Sequence, residues 1–231
     1  QRSSYGALDI QGHVLPWYEA DHNRSHYSPP VLIKEALGHW DSSHDFSVYD
    51  NNGDGKLDYF MVLWTGPDTG WGSLWWAWCD MAANEFSGDP FTVDGKKPAV
   101  FSWQWEGRPE GAGFHAGVVI HETGHALGLP DLYDYDGTVG PGGGVGGLDI
   151  MAGNFGDHNA FSKWLLGWLS PTVYSDPETI VTKTLRPTSE YADAVVIMPS
   201  ASPGDAYSEY FMVQNRSRRT VDTNDHAFPN D

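Results

Sequence analysis

Apolar positions in "VLIKEALGHW", from Val31, recur at three- and four-residue steps behind Ser-Pro-Pro, which predicts a helix. The pattern then changes. "LDYFMVLW" is a continuous apolar run entered from an Asp/Asn/Gly loop and predicts a buried strand. "WGSLWWAW" and "AVFSWQW" predict two more strands, with the turn signal "VDGKK" between them. "AGFHAGVVIHETGHALG" returns to helical spacing and ends at Gly128, with Pro130 beyond it. A glycine-rich loop, "YDGTVGPGGGVGG", follows; it reads as a flexible linker or, lying between two motif-like stretches, as a functional loop. "HNAFSKWLLGWL" predicts a second helix with Trp164, Leu165 and Trp168 on one side. "TIVTKTLRP", "DAVVIMP" and "EYFMVQNRS" predict C-terminal strands, and "DTNDHAFPND" a polar loop.

Helices and strands mixed in this order suggest an α+β chain. Its 231 residues suit one large domain or two small ones. No apolar run is long enough to span a bilayer. The net charge of −18, from 22 Asp and 9 Glu against 13 Lys and Arg, repels nucleic acid and anionic membranes. The excess of Asp over Glu suits turns and cation loops. The single cysteine, Cys79, excludes an intrachain disulfide, and its "WWAWCD" setting predicts a buried, inert thiol. The first residues carry no signal peptide and no starting Met, which predicts a processed, mature form. Asn23 and Asn215 begin glycosylation sequons. The 11 Trp are expected mostly in the core, with contacts or carbohydrate stacking as the alternative.

The chemistry concentrates in "HETGHALGLPDLYD". On a helix, His121 and His125 point from one face one turn apart and can grip a single ion. Glu122 stands beside the first histidine, as in the H-E-x-x-H pattern of zinc peptidases. Gly128 permits a sharp turn, and Asp131 then occupies the place of the third ligand in the extended metzincin pattern. A carboxylate is a legitimate zinc ligand, so His121, His125 and Asp131 form the candidate zinc set and Glu122 the candidate general base. Met151, in "GGLDIMAGN", stands where a methionine turn is expected, and His158 just past it is a candidate oxyanion donor or a plain hydrogen-bonded residue.

"DNNGDGKLD" places Asp50, Asn52 and Asp54 at alternate positions, with Gly55 for the bend, Lys56 offering a carbonyl and Asp58 closing the group. This resembles half of an EF-hand loop, although Met61 stands where the closing glutamate would be. The spacing favours a structural Ca2+ over a plain polar turn. Asp134 and Asp136 are a weaker pair of the same kind.

These pieces together resemble the immune-inhibitor-A-like metallopeptidases. The matching segments are "SYGALDIQGHVLPWY", "VYDNNGDGKLDYFMVLWTG", "HETGHALGLPDLYDYD", "GGLDIMAGN" and "FSKWLLGWLSP", in the family's order between Ser4 and Pro171, with "EYFMVQNRS" similar to a later segment. The resemblance implies a metzincin-like zincin domain over residues 1–171, a twisted mixed sheet with an active-site helix. A smaller β-rich C-terminal part then covers 172–231. It also implies Zn2+ on His121, His125 and Asp131, Glu122 as base, stabilising Ca2+, protein or peptide substrates, a propeptide that is removed, and secretion. The alternative is a processed protease-like fold serving as a non-catalytic structural or adhesive component outside the cell.

Overall fold

The computed structural model describes residues 3–107, 114, 116–138, 144–153, 156–175, 180–198 and 206–217. The middle of the glycine-rich loop, residues 108–113 and 115 ahead of the zinc-motif helix, and the polar C-terminal stretch fall outside them. The chain is α+β, with two small three-stranded sheets. It divides into two compact units: His13–Gly128, and Gln1–Gly12 together with Leu129–Asp231.

In the first unit, helix α1 covers Pro29–Trp40, with Pro at its start, where the missing N–H costs nothing. It buries Ile33 and Leu37, as the three- and four-residue spacing requires. Strand β1 is Phe60–Trp64, β2 Trp78–Asp80 and β3 Phe101–Trp105. The sheet order is β1-β3-β2, with β1 parallel and β2 antiparallel to β3. Every residue of β3 is buried, as befits a central strand covered on both faces. Helix α2, Ala116–Ala126, packs on β2 and β3.

Most of the tryptophans build this core. Trp64, Trp103 and Trp105 are buried, and Trp75, Trp76 and Trp78 pack around them. Trp64 meets Trp75 edge-on at 5.1 Å between ring centroids, a favoured aromatic geometry. Arg24 lies over both the Trp64 and Trp75 rings. The predicted "WGSLWWAW" strand shrinks to its last residue plus Cys79 and Asp80. Gly70 and Gly72 take positive φ, and the amide of Thr69 reaches the carbonyl of Trp75, so the chain loops there instead of extending. The "VDGKK" turn is present: Asp94 and Gly95 both have positive φ, and Val93 and Lys96 exchange two backbone hydrogen bonds.

The second unit contains a short helix α3, Ile150–Gly153, and α4, Ala160–Leu165. Asn159 caps α4 by accepting from the Ser162 amide. Strands β4 (Thr172–Tyr174), β5 (Ala194–Ile197) and β6 (Phe211–Gln214) form the second sheet in that order, with β4 parallel and β6 antiparallel to β5. The predicted "TIVTKTLRP" strand is absent among the described residues. Ile180 is exposed, and only Pro187 makes an isolated bridge, to Asn215. The Asn215 side-chain amide donates to the Leu185 carbonyl, so this sequon nitrogen is committed to the fold, whereas Asn23 is exposed. No helix among the described residues is long and apolar enough to cross a membrane.

Candidate metal centre

Helix α2 positions the motif. Val118 faces the core, and His121 and Glu122 are also buried. The helix then winds down through Leu127, whose amide bonds to Thr123, and Gly128, whose amide bonds to His125. Gly128 has φ +98°, the left-handed conformation that lets the chain leave the helix sharply. Asp131 follows within three residues. One ligand atom each from His121, His125 and Asp131 lie within 4.8 Å of one another, the one such group among the described residues. The two imidazole rings stand 4.8 Å apart, nearly perpendicular.

Two tyrosines attend the carboxylate. The Tyr135 hydroxyl donates to Asp131 Oδ2, and the Tyr133 and Tyr135 rings lie 4.7 Å apart. Burial, together with Tyr135 and the Asp131 charge, raises the Tyr133 hydroxyl pKa well above that of a free phenol. Neither tyrosine carried a sequence signal, because each acts through its fold position and not through a spacing rule.

Within the first unit, the Tyr59 hydroxyl lies 2.7 Å from Ser102 Oγ on β3 and 3.2 Å from Thr123 Oγ1, the residue after Glu122. Cys79 on β2 is pushed up to about 12 by burial, with the Glu122 and Asp80 charges adding to it. A thiol so raised stays protonated and unreactive, which agrees with the inert reading of Cys79.

Asp131 is backed by a tightly built segment. Leu129, Ile150 and Met151 form a buried apolar cluster joined by Leu132, Leu165 and Leu166. Met151 is fully buried, and its carbonyl accepts the Leu132 amide at 3.0 Å. The glycine-rich loop presses on the same stretch: the Val145 amide donates to the Leu132 carbonyl. A Cβ on Gly144, whose φ is +66°, would stand 2.0 Å from that carbonyl oxygen. Only glycine fits there. His158 is buried too, with Nδ1 3.4 Å from Asp149 and its ring edge-on to Trp168. It is therefore a packed residue beside the Asp149 carboxylate.

The Asp50–Asp58 loop is closed by its own protein groups. Asp50 accepts the Asp54 and Gly55 amides and pairs with Lys96 Nζ at 2.6 Å. The Lys96 hydrogen bond, outweighing burial, holds the Asp50 carboxyl below its usual range. Asn52 accepts the Asp54 amide, Asp54 the Lys56 amide, and Asp58 both the backbone and side-chain N–H of Asn51. Farther on, Asp134 accepts the Asp136 amide and Asp136 the Thr138 amide and hydroxyl, which are local turn bonds.

No protein-family model matches the chain. Among curated proteins it is 30% identical over 192 residues to immune inhibitor A of Bacillus thuringiensis subsp. alesti, covering 66% of this chain and 27% of that protein. It is 28% identical over 224 residues to the pre-pro-metalloprotease PrtV of Vibrio cholerae serotype O1, from strains M66-2 and ATCC 39315 / El Tor Inaba N16961, covering 75% of this chain and 23% of theirs. The chain thus spans about a quarter of the length of the curated relatives it matches. These similarities bear out what the motifs suggested: the chain is related to the immune-inhibitor-A-like metallopeptidases.

Proposed function

We propose that this chain carries the catalytic site of a secreted zinc endopeptidase, with His121, His125 and Asp131 as metal ligands and Glu122 as general base. The observation that carries the reading is the convergence of two helix-borne imidazoles and one carboxylate within 4.8 Å. Two nitrogens and one oxygen suit zinc, and three protein ligands are the number that a catalytic zinc would take from the chain. When bound, zinc lowers the pKa of a coordinated water to about 7 and polarises a carbonyl. The metalloprotease name of the Vibrio relative supports the same chemistry, and its pre-pro prefix supports a removable propeptide and export. A metzincin-like fold with Met151 in a methionine turn belongs to this proposal, as do protein or peptide substrates.

The chain's own groups divide the work. Glu122 accepts a proton from the attacking water as it adds to the peptide carbonyl, and passes that proton to the amine as the C–N bond breaks. Strand β2 is paired on one side by β3 and lies against α2, with Cys79 near enough to feel the Glu122 charge. An extended peptide hydrogen-bonded along the other side of β2 would present its backbone to that carboxylate.

The test is metal content by elemental analysis beside casein hydrolysis with and without a zinc chelator. The wild type is expected to hold one zinc and to lose activity on chelation. Asp131→Ala should weaken zinc binding by more than the roughly 10–100-fold that loss of an outer-shell partner costs, while Asp134→Ala leaves it intact. Hydrolysis that persists without zinc, or unaltered zinc affinity in Asp131→Ala, would overturn the assignment.

The calcium proposal for Asp50, Asn52, Asp54, Lys56 and Asp58 rests on their spacing, and an ion there competes with Lys96 for Asp50. Millimolar calcium is expected to raise the unfolding temperature of the wild type but not of Asp54→Ala. Identical melting with calcium and with chelator would reduce the loop to a self-capped turn.

A further inference from the structure

Asp149 is a carboxylate with no exposed surface, and neither metal binding nor proton transfer uses it. Burying a charge so completely is costly unless donors surround it. Here they do. Asp149 Oδ1 accepts the Met151 amide at 2.8 Å. Oδ2 accepts the Asn159 amide at 2.7 Å and the Ser162 hydroxyl at 2.7 Å. His158 Nδ1 stands 3.4 Å from Oδ1. One side chain therefore fixes the start of α3, the residue that caps α4, and the first turn of α4.

The consequence reaches the metal centre in two further bonds. Met151, held through its amide by Asp149, offers its carbonyl to the Leu132 amide at 3.0 Å. Leu132 directly follows Asp131, and its own carbonyl is held by the Val145 amide. Both peptide groups flanking the Leu132 Cα are thus tied down, and the peptide group shared with Asp131 is one of them. An aspartate side chain is short, so the direction of its carboxylate follows its backbone closely.

We propose that Asp149 is a positioning residue for the third zinc ligand, acting through the Met151 carbonyl and the Leu132 amide to fix where Asp131 points. This rests on the assignment of Asp131 as a ligand. The role is that of an outer-shell partner, except that the link runs through the main chain instead of through a hydrogen bond to the ligand's own side chain.

Asp149→Asn tests it. The change is isosteric and opens no cavity, but an amide N–H2 must now face an N–H or the Ser162 hydroxyl where an acceptor stood. Zinc affinity is measured by competition with a chromogenic chelator, at a temperature where circular dichroism shows variant and wild type equally folded. The expected result is zinc binding about 10–100-fold weaker, kcat reduced at limiting zinc and restored by excess zinc, and KM unchanged. Ser162→Ala, which removes one donor and keeps the carboxylate, should give a smaller loss in the same direction. It decides the question if Asp149→Asn does not fold. A folded Asp149→Asn with wild-type zinc affinity overturns the proposal, as does a loss confined to the melting temperature of the metal-free protein. Asp131→Ala measured alongside separates the two failures: if it binds zinc normally the ligand assignment is wrong, and if it alone loses zinc only the relay is wrong.

Discussion

Glu122→Gln should remove hydrolysis and keep the metal. The glutamate side chain is almost wholly buried, so an isosteric amide preserves packing where alanine would leave a cavity. The amide cannot take a proton from water at neutral pH, nor return one to a leaving amine. General acid–base catalysis contributes typically 10²–10⁴-fold, and kcat should fall by about that factor. Zinc content should stay at the wild-type level because His121, His125 and Asp131 are untouched. KM should change little, since the lost interaction belongs to the transition state. The measurement is kcat and KM on a fluorogenic peptide, with zinc determined on the same sample. Activity within a few-fold of wild type would remove Glu122 from the reaction. Loss of zinc together with activity would instead make it part of the metal's support.

The grouping of His121, His125 and Asp131 was legible in the sequence because its geometry is local. His121 and His125 are related by a single helical turn, and Gly128 signals the reversal that brings Asp131 back to them. Helix α1 and strands β1, β3, β5 and β6 were legible for the same reason: period and turn chemistry act over a few residues. The second predicted strand failed because three closely spaced tryptophans are as good a filler for a looped segment as for a strand. Trp75 and Trp76 reach Trp103 and Trp105 from a loop that Gly70 and Gly72 permit. The strand expected near Ile180 failed because apolar alternation needs a neighbour to pair with, and β5 took "TVY" instead.

The Asp50–Asp58 loop shows a subtler limit. Its side-chain acceptors are engaged within the protein. Their partners are backbone amides and Lys96, a residue 46 positions from Asp50 that no local pattern connects to it. Tyr135, Asp149 and Tyr59 escaped notice for the same cause. Each owes its role to a bond with a group whose proximity only the folded chain creates. A sequence motif names ligands because ligands are constrained by ion chemistry; what orients them is constrained only by the fold.

Lys163→Met should be among the most destabilising single changes in the chain. Lys163 has no exposed surface, and its ammonium donates to Asp157 at 2.5 Å, the Thr188 carbonyl at 2.8 Å and the Tyr5 hydroxyl at 3.3 Å. It also sits over the Tyr5 ring. Burial pulls its pKa down and the Asp157 charge opposes that shift. Methionine matches the length but supplies no charge and no donor. Asp157, nearly buried, then keeps only the Ser3 hydroxyl among these partners, and the Thr188 carbonyl only the Tyr5 hydroxyl. Breaking a buried pair from one side costs about 3–5 kcal/mol. The loss should appear as a lower denaturant midpoint for the unit that holds residues 129–231. Lys163→Met with Asp157→Asn should recover part of the loss at neutral pH. A single variant within about 1 kcal/mol of wild type, or a double variant less stable than the single, would show that the pair is not what holds Tyr5 and Thr188 together.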